Sequence, residues 1–306
     1  MNAIHAEDTT EDGATDMSAN WALGTDFDDP LAGVDTSVPP GVEARILADY
    51  CLMLGDDALI MAQRLSEWCS RAPDLEDDIA LTNIALDLLG QSRLLLARAA
   101  AADPSVLPVL PPGSPVPPED RLAFFRCDAQ FRNVRLVEMP NGDYAETICR
   151  LLIFCLWRLT LFQNLSASRD PVLAAVAAKG TKELAYHCDY ADHWFAILAD
   201  GTTESRHRLE KGLAAVWPLR HELTASHPAE AAAAASGVGV DPSTLATDVD
   251  AHITRIVTDA GLTCPTTAAL AGVRGRTGRD GMHTEHLSIM LAEMQSVARA
   301  HPMGSW

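Results

Sequence analysis

Two acidic residues lie in helical stretches of this chain at positions where a helical bundle could bind a pair of iron ions. A di-iron carboxylate site needs a Glu from each of two helices and a Glu-x-x-His motif from each of two others. The three-residue spacing puts both ligands of a motif on one helix face. The nearest motifs here are Asp87-x-x-Gly90 and Glu183-x-x-Tyr186, with His187 one position further on. Both lack the histidine at the third position, so we interpret these residues as a degenerate ligand set.

A buried polar network is the structural alternative for Asp87 and Glu183. Asp87 can pair with an arginine such as Arg64, and Glu183 with Lys179 or Lys182. Buried charges need partners of this kind, because an unpaired charge in a core is costly. A variant metal site built from unusual ligands is the other alternative. The sequence contains no P-loop, no dinucleotide-binding glycine motif and no GxSxG nucleophile motif.

Apolar residues at helical spacing predict the elements that position these side chains. The first helix is predicted over residues 43–70, because its apolar residues are spaced alternately by four and three positions and so lie on one helix face. These residues are Leu47, Cys51, Leu54, Ala58, Met61, Leu65 and Trp68. The second helix is predicted over 74–102, with its apolar side at Ile79, Leu86, Leu89 and Leu96.

Further helical patterns cover most of the remaining chain, and no alternating β pattern occurs. They predict helices over 119–131, from 143 to beyond 162, and over 171–200, 203–225, 243–260 and 282–300. The alanine run 231–235 is interpreted as a linker and residues 263–281 as a loop. Four helices of roughly 25–30 residues predict an all-α bundle with additional C-terminal helices.

Charge and composition limit the kinds of partner. The chain has 23 Lys+Arg, 42 Asp+Glu and a net charge of -19, which disfavours nucleic acids and anionic membranes. No uncharged apolar run of about 18 residues is present, so no membrane-spanning helix is expected. Seven cysteines without a CxxC pair predict reduced thiols and a cytoplasmic protein. Residues 1–41 hold nine acids and no Lys or Arg, and are predicted to be a disordered tail before a helical domain at 42–306.

Five segments of the sequence together resemble a known family. They are Ala58–Cys69, Pro73–Arg93, Phe131–Thr147, Asp170–His187 and Gly281–Gln295. In these segments the chain is similar to the C subunits of bacterial phenylacetyl-CoA 1,2-epoxidases, multicomponent oxygenases of aerobic phenylacetate catabolism. The resemblance runs from about residue 46 to Trp306 and leaves out the acidic tail.

The resemblance implies a ferritin-like long four-helix bundle and a structural, non-catalytic role. In that family a homologous catalytic subunit holds the di-iron centre and binds the CoA thioester, a reductase subunit supplies electrons from NADPH, and the complex also contains a small subunit. No catalytic residue, metal or cofactor is therefore expected on this chain, which alone would be inactive. The alternatives are a di-iron oxygenase subunit with its own variant site and a free-standing helical binding module.

A subunit that docks onto a partner needs exposed apolar helix faces. We predict that one part of the partner interface is the face of the third long helix that contains Trp157. The other part is the predicted last helix, with candidate residues Met282, His283, Glu285, His286, Met290 and Met294. A zinc site at His283 and His286 is a further possibility, but it would lack a third firm ligand.

Overall fold

The computed structural model describes residues 30–304 and confirms the all-α class. Within that range the chain forms helices and no strand, with one isolated bridge between Val273 and Arg276. The helices are α1 (Ala44–Ser66), α2 (Leu75–Ala102), α3 (Pro118–Phe124), α4 (Arg135–Glu138), α5 (Tyr144–Leu165), α6 (Pro171–Asp200), α7 (Thr203–Val216), α8 (Pro228–Ala235), α9 (Ala246–Asp259), α10 (Glu285–Met294) and α11 (Ser296–Ala300).

The four longest helices, α1, α2, α5 and α6, form the bundle. Helix α1 packs along α2, α5 packs along α6, and α2 also contacts α6. Their lengths are 23, 28, 22 and 30 residues, so two of them are shorter than predicted. Asp74, Asp143 and Asp170 cap the starts of α2, α5 and α6 by accepting a backbone N–H, as N-cap carboxylates commonly do.

The apolar faces of the first two helices were predicted with unequal success. In α1 the predicted lane from Leu47 to Leu65 is buried, and Trp68 lies beyond the end of the helix. In α2 only Leu96 is buried, while Ile79, Leu86 and Leu89 are exposed. The core side of α2 is formed instead by Leu81, Ile84, Leu88 and Leu95. The α2 prediction was wrong because apolar residues lie on both sides of this helix, so spacing alone does not identify the buried side.

Several boundaries in the second half of the chain also differ from prediction. The alanine run predicted to be a linker belongs to helix α8, which Pro228 begins and the His227 side chain caps. Of the helix predicted over 119–131, only the part up to Phe124 is α-helical, and a separate 3-10 turn follows at Asp128–Gln130. The predicted helix 203–225 changes to 3-10 geometry at Trp217, next to Pro218. The last helix begins at residue 285 and divides at Gln295 into α10 and α11.

Residues 30–41 lie against the bundle, so the predicted tail boundary was wrong for this stretch. Leu31 is buried, and the buried guanidinium of Arg98 donates hydrogen bonds to the carbonyls of Thr36 (2.9 Å) and Ser37 (3.3 Å). Arg98 in turn pairs with the buried Asp170 at 2.6 Å. Residues 1–29 lie outside the described residues, so their disorder stays a prediction.

Helix α2 has the length and composition of a membrane span, contrary to the expectation that no such helix exists. It is the one helix of the described part that passes this test, and half of its most apolar stretch is buried inside the bundle. A long core helix of a bundle passes the same test, which makes this weak support for a span.

Candidate functional site

Two of the degenerate ligand positions, Asp87 and Glu183, lie in two neighbouring groups of hydrogen-bonded side chains between α2, α5 and α6, which we together call the polar network. The His187 Nε2 atom lies 3.0 Å from the Oδ2 atom of Asp87. The Gln91 side-chain amide donates to the Oε2 atom of Glu183 at 3.0 Å. Arg158 of α5 donates from its Nε to the Oε1 atom of Gln91, also at 3.0 Å. The sequence predicted the two acids, but it did not predict that Gln91 and Arg158 join the network.

The residues that take part are spaced by four positions, not three. Asp87 and Gln91 share the network on α2, and Glu183 and His187 share it on α6. Tyr186 is 54% exposed, and no neighbouring atom lies within contact distance of where a Cβ on Gly90 would be. A histidine at either of these third positions would therefore lie at the surface, so the Glu-x-x-His spacing does not describe this site.

The pairing predicted for Glu183 is present, and that predicted for Asp87 is wrong. The Lys179 ammonium lies 3.4 Å from Glu183, with its side chain 73% exposed. Arg64 turns away from Asp87 and binds Glu67 and the backbone carbonyl of Glu138, both at 2.7 Å.

Arg158 places a permanent positive charge inside the bundle. Its side chain is fully buried and also donates to the carbonyl of Leu54 at 3.3 Å. The guanidinium carbon lies 4.5 Å from the centre of the Phe162 ring, a favourable cation–π position. Burial lowers the pKa of Arg158 to about 10, which leaves the group protonated at neutral pH. A buried cation is thus separated from the Glu183 carboxylate by one side-chain amide, that of Gln91.

His187 is held as a neutral imidazole. Burial lowers the pKa of this side chain, although the hydrogen bond with Asp87 opposes the shift. Its Nδ1 atom is buried and has no hydrogen-bond partner among the described residues. Neutral His187 therefore donates a hydrogen bond from Nε2 to the Asp87 carboxylate. This bond orients both side chains without a metal ion.

The donor set does not fit a di-iron centre. Two irons need four carboxylates and two histidines, whereas this network offers Asp87, Glu183 and His187 together with an amide and a guanidinium. Among residues 30–304, no group of three or more His, Cys, Asp and Glu side chains is arranged to hold a metal ion. The space is also closely packed, since a Cβ on Gly180 would lie 2.7 Å from the Phe162 ring and 3.2 Å from the Gln91 amide nitrogen.

A second buried network connects the C-terminal segment to α1, and the sequence analysis missed it. Asp57 pairs with Arg279 at 2.9 Å, and Arg279 lies 3.4 Å from Glu230 of α8. The neighbouring Asp56 pairs with Arg126. Both aspartates are fully buried. Two adjacent acids in the middle of an apolar helix were the available signal, because such groups need cationic partners from elsewhere in the chain.

Two of the predicted interface residues are in the core, so their assignment was wrong. Trp157 is fully buried and Met290 is 3% exposed, because the faces on which they lie pack inside this chain. Of the others, Glu285 is exposed, whereas Met282, His286 and Met294 are half-buried. His283 is engaged within the chain, with its Nδ1 atom 2.9 Å from Glu138 and its Nε2 atom 3.0 Å from a backbone carbonyl.

Comparison with known proteins agrees with the resemblance seen in the sequence. Residues 33–306 match the family model described as "Phenylacetic acid catabolic protein". The C subunit of 1,2-phenylacetyl-CoA epoxidase from Escherichia coli (strain K12) is 41% identical over 261 residues, which cover 85% of this chain and 99% of that protein. The match extends over the whole ferritin-like bundle and the C-terminal helices. This chain is therefore a member of the phenylacetic acid catabolic protein family.

Proposed function

We propose that this chain is the structural subunit of a multicomponent phenylacetyl-CoA epoxidase that acts in phenylacetate catabolism. It docks onto a homologous catalytic subunit, which carries the di-iron centre and epoxidises the aromatic ring of phenylacetyl-CoA. The assembly also includes a reductase subunit and a small subunit. The relative in Escherichia coli is named as a subunit of such an enzyme, which supports the existence of partner chains.

The observation that carries the non-catalytic role is the position of Arg158. Its guanidinium occupies the interior of the network, 3.0 Å from the amide that binds Glu183. A protonated guanidinium repels divalent and trivalent metal ions. Oxygen activation accordingly takes place on the partner, and this chain contributes a bundle whose core is closed by ion pairs and hydrogen bonds.

Iron content separates this proposal from an oxygenase with its own variant site. The full-length chain, expressed alone in iron-replete medium and purified without chelators, should contain almost no iron while remaining helical by circular dichroism. The chain is then mixed with the catalytic subunit, and the iron content of the complex is measured. The complex should contain as much iron when this chain carries Asp87→Ala or Glu183→Ala as when it is wild-type. About two irons per isolated chain, lost in those variants, would overturn the proposal.

A further inference from the structure

Helix α2 carries an apolar lane on its outer side that nothing in the described structure covers. Leu75 is 69% exposed, Ile79 53%, Leu86 58% and Leu89 45%. Their spacing of four, seven and three residues keeps all four on one helix face, in a single lane about four turns long. We call these four residues the α2 lane.

The spacing of the lane indicates the shape of what it binds. Apolar residues that recur with an average period of 3.5 form the seam by which one helix packs along another at a shallow angle. A monomer that exposes four large aliphatic side chains in one row is unusual, because contiguous apolar patches on soluble proteins mark interaction sites. Tyr186 of α6, also exposed, lies level with the middle of the lane, since its neighbour His187 contacts Asp87.

Charge decides between the candidate occupants. The end of the lane at Leu75 is acidic, because Asp74, Glu76 and Asp78 flank Leu75 in sequence. The nearest Lys or Arg in sequence is Arg71. Residues 1–29 are long enough to reach the lane from Pro30, but they hold eight acids and no Lys or Arg, so the acidic end repels them. A second copy of the chain brings another net charge of -19. A different subunit with basic residues beside an apolar helix avoids both penalties.

We propose that the α2 lane is the surface on which the catalytic subunit docks, through a helix that has an apolar face and Lys or Arg residues near Leu75. This inference rests on the proposed function and adds the surface and the chemistry of its partner. It replaces the predicted interface on the last helix, where Ile289 is the one large apolar side chain of α10 that is exposed.

Two matched variants test the surface. Leu86 and Ile289 are 58% and 61% exposed, so aspartate at either position leaves the core intact. The full-length chain and the catalytic subunit are mixed, and their dissociation constant is measured by titration. Leu86→Asp should weaken binding by at least about tenfold, the loss expected at the centre of an interface, whereas Ile289→Asp should change it by less than about twofold. Circular dichroism and the thermal midpoint should stay unchanged in both.

The possible outcomes distinguish failure of the surface from failure of the function. If wild-type chain binds and Leu86→Asp binds equally well, or if Ile289→Asp is the variant that loses binding, the α2 lane is refuted while the proposed function stands. Wild-type chain that does not bind the catalytic subunit refutes the function itself. A homodimer that Leu86→Asp dissociates, or binding that strengthens when residues 1–29 are removed, assigns the lane to another occupant.

Discussion

Replacing Gln91 by leucine tests whether the polar network stabilises the bundle from its centre. Gln91 is 3% exposed and makes two bonds with charged groups, donating to Glu183 and accepting from Arg158. Through these two bonds its amide connects α2 with both α5 and α6. Leucine has a similar size and fills the space, but it can neither donate nor accept a hydrogen bond.

The size of the effect follows from what each partner loses. Arg158 is fully buried, so losing the bond to its charged group costs about 1.5–3 kcal/mol. Glu183 is 17% exposed and keeps Lys179, so its loss is smaller, about 1 kcal/mol. The apolar surface of leucine returns about 1–2 kcal/mol. The expected net loss is about 2 kcal/mol of the free energy of unfolding.

Urea unfolding followed by circular dichroism measures this loss, and Lys179→Ala is the matched control. Lys179 contacts the same Glu183 from the surface, where an ion pair contributes little, so its removal should cost less than about 0.5 kcal/mol. The double variant Gln91→Leu/Arg158→Met should be more stable than Gln91→Leu alone, because it leaves no unpaired buried charge. A Gln91→Leu loss below about 0.5 kcal/mol, or a double variant less stable than the single one, would refute this reasoning.

Two further predictions concern buried charges elsewhere in the bundle. Asp170→Ala removes the ion-pair partner of the fully buried Arg98 and the N-cap of α6, and should lower the free energy of unfolding in urea by about 4–6 kcal/mol. The control Asp259→Ala removes an exposed ion pair with Arg255 and should cost less than about 0.5 kcal/mol. Equal losses in the two variants would contradict this prediction. Burial opposes protonation of His283, but the bond to Glu138 outweighs it and raises its pKa, so the folded chain holds a proton that the unfolded chain releases. The free energy of unfolding should therefore fall as pH rises from 6.5 through the folded pKa, and His283→Gln should flatten that slope in urea titrations at several pH values.

The fold was accessible from sequence wherever one face of a helix was apolar and the other polar. Helix α1 is such a case, because its lane from Leu47 to Leu65 is buried as predicted. Helix α2 is not, because its outer lane is as aliphatic as its core lane, and a period identifies a face without saying which neighbour covers it. The three residues that were wrongly predicted to be in the core, Ile79, Leu86 and Leu89, belong to the proposed docking surface.

The polar network could be predicted from the sequence only in part. The acids Asp87 and Glu183 stood out because of their motif spacing, and both take part in the network. Their partners Gln91 and His187 could not be assigned, since pairing across helices depends on the rotation and the relative height of each helix along the bundle. The interface prediction for Trp157 failed for a related reason, because a large aromatic side chain is equally suited to a core and to an interface.

By itself the sequence determined the all-α class, the positions of the long helices, the acidic character and the family, because these depend on local spacing, capping residues, composition and extended similarity. The tertiary structure decided which aliphatic face of α2 remains exposed, that residues 30–41 lie on the bundle, and that Gln91 connects Glu183 with Arg158. The physical reason is common to all three. Each is a contact between segments far apart in the chain, and such contacts depend on the relative placement of whole helices, which no local pattern encodes.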